Sequence, residues 1–94
     1  MTTTLEIENA ILQAIDSIND MYGETLLQRS LDEWFIAEES SLDSVNVLTL
    51  TINLEQLVKD AGVRIDLLSA LADEKNKDQF QKFSGVAAYI VARV

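Results

Sequence analysis

One stretch of the sequence combines residue types and spacing that could support chemistry: Ser41-Leu42-Asp43-Ser44-Val45, with Leu54-Glu55 ten and eleven residues beyond Ser44. On physical grounds alone, Asp43 or Ser44 caps the helix that follows, since both types satisfy free backbone N–H groups at helix starts. Other catalytic arrangements are missing. Without His there is no usual general base near neutral pH, and a Ser nucleophile has no partner. Without Cys there is no disulfide, thiolate chemistry or cysteine-bound metal. Glu38 and Glu39 are neighbours in the chain, point in different directions and read as solvated acidic surface. An acid-dependent enzyme built on Glu38 or Asp43 is the remote alternative. Glycines occur only at 23, 62 and 85, so no phosphate-cradling loop exists. The spacing from Asp16 to Gly23 does not fit a calcium loop. No autonomous enzyme is expected.

The elements that must position Ser44 are legible from periodicity. Ile7, Ile11, Ile15, Ile18 and Tyr22 form one helical stripe. Thr3 and Glu6 suit a capping box and Gly23 a stop, predicting a helix over about residues 4–22. Residues 23–42 lack a period yet contain Leu26, Leu27, Leu31, Trp34, Phe35 and Ile36. They read as a long ordered loop, with Trp34-Phe35 anchored on the core in preference to forming a binding hot spot.

From Asp43 to Asp60 two patterns compete. Leu48, Leu50, Ile52 and Leu54 alternate with polar residues as in a strand. Over the longer window, Asn46, Thr49, Asn53, Gln56 and Asp60 form one polar helical stripe. The longer period predicts a largely buried helix ended by Gly62, with its exposed stripe at Asn46, Thr49, Asn53 and Gln56. Asp66 is expected to cap a short helix through Leu67, Leu68 and Leu71, and residues 72–82 to form an exposed turn or frayed helix of mixed charge. Ser84 is expected to cap a packed final segment, with Val86, Ile90 and Val94 in step. Absence of Pro and scarcity of Gly fit an all-α fold.

Composition narrows the class. At 94 residues with 48% hydrophobic content, one domain spanning 1–94 is expected, with a single modest core. The formal charge of −9 argues against nucleic acid. It is unevenly distributed: residues 1–58 hold eleven acids and one base, Arg29, whereas 59–94 hold five acids and six bases. The sequence has no signal-peptide pattern and no membrane-length apolar run, so a cytoplasmic protein without membrane association is expected.

Asp43-Ser44-Val45, the Leu54-Glu55 pair, the link Gly62-Val63-Arg64-Ile65 and the run Val86-Ala87-Ala88-Tyr89-Ile90 together resemble the acyl carrier protein family. Within it, the stretch from Leu42 to Gln56 is most similar to stand-alone bacterial carriers. The resemblance extends from about Leu5 to Ile90. It implies a small four-helix bundle with a long loop between helices I and II and a short helix III. It also implies that Ser44, in the Asp43-Ser44 motif, carries 4′-phosphopantetheine as a covalent cofactor from coenzyme A. The arm's thiol would hold an acyl or aminoacyl group as a thioester. Implied partners are a phosphopantetheinyl transferase and acyl-loading and acyl-transferring enzymes with basic docking patches, acting on a monomeric carrier. Val45, Leu48 and Ile65 are candidates to line an acyl pocket, although first of all core residues. Glu38, Glu39, Asp43, Glu55 and Asp60 are candidates for partner docking. Ser41 and Val45 depart from the family's usual Gly and Leu, and the second helix carries little charge. The alternative is an unmodified acidic helical interaction module with a carrier-like fold.

Overall fold

The computed structural model describes residues 4–38 and 40–93; Thr3, Glu39 and Val94, each named above, lie outside the described residues. Four α-helices are present among them: α1 (Thr4–Tyr22), α2 (Ser44–Asp60), α3 (Leu67–Ala72) and α4 (Phe83–Val91). A one-turn 3-10 helix, Glu74–Asn76, lies between α3 and α4.

The isoleucine stripe of α1 is the centre of the core. Ile7, Ala10, Ile11, Ala14, Ile15 and Ile18 are all buried. They meet Leu50, Leu54 and Val58 of α2 and Phe83, Val86, Ala87 and Ile90 of α4. Gly23 ends α1 at φ +66°, the left-handed conformation that glycine adopts without strain. α3 packs on α2 and on the 3-10 turn.

Helix, not strand, is the outcome over residues 44–60. Six β-branched residues lower the propensity of α2, and burial of Leu50, Leu54 and Val58 compensates. Thr51, also buried, donates its hydroxyl to the Val47 carbonyl at 2.7 Å, so no polar atom is stranded.

Among its described residues the connection between α1 and α2 contains no helix, and it is anchored at its start and in its middle. Asn19 reaches from α1 to accept from the Leu26 and Leu27 N–H groups and donates to the Leu27 carbonyl. Farther along, Phe35 and Ile36 donate their N–H groups to the carbonyls of Gln81 and Phe80. Phe35 is buried and stacks on Phe83 at 4.8 Å between ring centroids. Trp34 is half-buried beneath the Lys82 ammonium. Both aromatic residues anchor the loop, as their types predict.

Three expectations need correction. α4 begins at Phe83, and Ser84 does not cap it: the Glu33 and Leu31 carbonyls accept from the Phe83 and Ser84 N–H groups instead. The 72–82 turn is not wholly exposed, because Phe80 is buried against Tyr89. α2 is half open to solvent, and its exposed stripe is not the predicted polar one.

Candidate functional site

Ser44 is the first residue of α2 and is exposed. Its N-cap is Asp43, in extended conformation, whose carboxylate accepts the Asn46 N–H at 2.8 Å. The Asn46 side chain returns the contact by accepting from the Asp43 N–H at 3.2 Å, completing a capping box. The amides of Ser44 and Val45 precede the first i→i−4 bond, that of Val47 to Asp43, so they face outward. Ser44 Oγ takes part in no hydrogen bond among the described residues. An exposed hydroxyl beside free helix-start N–H groups suits a tethered phosphate, which those donors and the helix dipole favour.

The capping box explains why the polar stripe was misplaced. Asn46 sits at the third helical position, turns back toward Asp43 and is only 7% exposed. Its place on the outer face is taken by apolar side chains: Val45 is 64% exposed, Leu48 48% and Ile52 52%. Val45 and Leu48 are therefore surface residues rather than the core residues expected first of all. Ile65 is half-buried and lines a cleft whose lining includes neither of them. The three do not converge. Thr51, about 20° from Ser44 around the helix, is buried, so the core begins at the edge of the serine's face.

The candidate docking acids have diverse roles. Glu38 is exposed. Asp43 serves the cap of α2, and Asp60 accepts from the Gln56 amide at 3.0 Å. Glu55 is half-buried and accepts the Leu68 N–H at 3.0 Å, fastening α3 to α2. Asp66 caps α3 itself by accepting from the hydroxyl and N–H of Ser69. Those two hydrogen bonds, the hydroxyl's first, hold the Asp66 carboxyl below its usual range.

Sequence reasoning missed a cleft of about 600 Å³ at the far end of α2, lined by Ile52, Glu55, Gln56, Lys59, Arg64, Ile65 and Asp66. A second groove, about 500 Å³, separates α1 from α2 and is lined by uncharged residues, including Ile18, Met21, Thr49, Ile52 and Asn53. Helical phase could have signalled both, because Ile52 stands a quarter-turn or so from Ser44 and has no core role. No group of His, Cys, Asp or Glu among the described residues is arranged to hold a metal.

The fold and site define a small all-helical bundle presenting a capped, exposed serine at the start of its second helix. No helix among the described residues is long and apolar enough to cross a membrane. The chain matches no family model, no curated protein and no solved structure.

Proposed function

We propose that this chain is an acyl carrier protein whose Ser44 bears 4′-phosphopantetheine and whose cargo is an acyl or aminoacyl thioester. One observation carries the reading: the serine of the Asp43-Ser44 motif is exposed, begins a helix of seventeen residues and has an uncommitted hydroxyl. The surroundings fit the group, since nothing occludes Ser44 and outward amides flank the position a phosphodiester would take.

In attachment, Ser44 Oγ attacks the phosphorus of coenzyme A next to pantetheine. The P–O bond to the nucleotide breaks, 3′,5′-ADP leaves, and the hydroxyl proton passes to a base. This chain has no His to serve as that base, so a separate transferase supplies it, together with Mg²⁺. The chain's own task is presentation. Asp43 fixes the helix start and thereby the direction of Ser44, while its carboxylate, engaged with Asn46, leaves Oγ free. The attached thiol supplies the thioester chemistry.

The test is mass. Incubation with coenzyme A, Mg²⁺ and a broad-specificity phosphopantetheinyl transferase should add one phosphopantetheine to the wild type and none to Ser44→Ala. No gain, or a gain that survives the substitution, overturns the carrier reading. The exposed apolar row Val45, Leu48 and Ile52 favours a second reading, an unmodified interaction module. Unchanged mass with transferase and in native cells would support it.

A further inference from the structure

We infer that the cleft at the far end of α2 receives the cargo end of the Ser44-linked arm and favours a short acyl group ending in an anion; this rests on the carrier reading. At 100° per residue, Leu48, Ile52, Glu55 and Lys59 all fall within about a quarter-turn of Ser44. They mark one lane along α2 from the serine into the cleft, where Ile52, Glu55 and Lys59 are lining residues. The lane begins on apolar Leu48 and Ile52, both exposed, which suit the aliphatic stretches of an arm.

Length agrees with direction. Lys59 stands about 22 Å along the helix axis from Ser44, at 1.5 Å per residue. A pantetheine arm, comparable to five extended residues, spans about 18 Å and ends level with Gln56, inside the cleft. A five-carbon diacid adds about 6 Å beyond the sulfur, which carries its free carboxylate to the level of Lys59.

The cleft lining is balanced in charge, Lys59 and Arg64 against Glu55 and Asp66, and hydrogen bonding distinguishes the two pairs. Its two carboxylates are engaged in holding α3: Glu55 accepts from Leu68, and Asp66 from Ser69. The nearby Asp60 carboxylate accepts from Gln56. Lys59 and Arg64 are different. Among the described residues neither side chain forms a hydrogen bond or an ion pair, in a protein of net charge −9. The donors left over are cationic and flank apolar Ile52 and Ile65, a combination matching a short carbon chain with a terminal carboxylate. A plain alkyl cargo has a better place in the uncharged groove between α1 and α2, on the other flank of Ile52.

Glutaryl and pentanoyl groups, of equal length and differing in the terminal charge, provide the test. Each is loaded with its pantetheine arm from the acyl-coenzyme A onto the wild type and the Lys59→Gln/Arg64→Gln variant. Both substitutions are at exposed positions, and an unchanged melting curve verifies the fold. The double variant should speed hydroxylamine cleavage of the glutaryl thioester about threefold, the scale of exposed ion pairs, and leave the pentanoyl thioester unchanged. Amide NMR shifts at Lys59, Arg64 and Ile65 should respond to glutaryl alone, and less so in high salt. Equal effects on both cargoes, or none on glutaryl, overturn the cleft assignment. Failure to load Ser44, visible as absent mass gain, overturns the carrier reading instead.

Discussion

Asp43 is the residue on which structure and proposed chemistry meet, because it caps α2 and fixes the orientation of the serine beside it. Asp43→Ala removes the side-chain half of the capping box and should cost about 1 kcal/mol, whereas Asp43→Asn should retain most of it. Denaturant titration of the two variants checks this, and a smaller loss for Ala than for Asn would contradict it. Asp66 ties its cap to pH. Its folded carboxyl is held low by Ser69, so the stabilisation is fully present above the ordinary carboxylate value and is lost as pH falls through the lowered one. The protection of the Ser69 amide, measured relative to its intrinsic exchange rate, should therefore fall with acidification through that window, and Asp66→Asn should remove this dependence. Both caps were legible in the sequence because Asp before an apolar run is a local signal. The burial of Asn46 was not, since a helical wheel assigns faces by angle and is blind to a side chain that folds back along the axis.

At the scale of elements, the long connection behaves as a structural part with two fastenings. Asn19 holds its start through three hydrogen bonds, and the Phe80–Ser84 segment holds its middle through backbone pairing. Asn19→Ala leaves the Leu27 amide without its acceptor and the Leu26 amide with the Glu24 carbonyl alone, and should destabilise the fold by about 2 kcal/mol. Hydrogen exchange would show that loss first at Leu26 and Leu27, ahead of the Phe35 amide; uniform loss would mean the fastenings are not separable. Element types and the bounds of α1 and α2 were readable because apolar spacing records which face is buried. The start of α4 was not. Its first amides are satisfied by carbonyls some fifty residues earlier, at Glu33 and Leu31, and no local side-chain pattern encodes a cap that arrives from a distant loop.

For the whole molecule, the carrier proposal implies that charge and apolar surface make separable contributions to recognition by a transferase. The acids concentrate before position 59, with Asp32 and Glu38 exposed on the approach to Ser44, whereas the face of α2 beyond it is apolar. Long-range charge raises the encounter rate with a basic partner and fades with salt, because screening acts over about 8 Å at physiological ionic strength. Apolar contact acts after encounter and is nearly indifferent to salt. Asp32→Lys/Glu38→Lys should therefore lower kcat/KM for loading several-fold at low salt, with the deficit closing as ionic strength rises. Leu48→Ser/Ile52→Ser should impair loading to a similar degree at every salt concentration, with little stability cost because both side chains are already half exposed. The two profiles are different in shape, so one salt series with both variants assigns the roles. Unchanged loading by the charge-reversed variant would reduce the acidic half to a device for solubility, and a salt-sensitive defect in the apolar variant would remove the row along α2 from the docking surface.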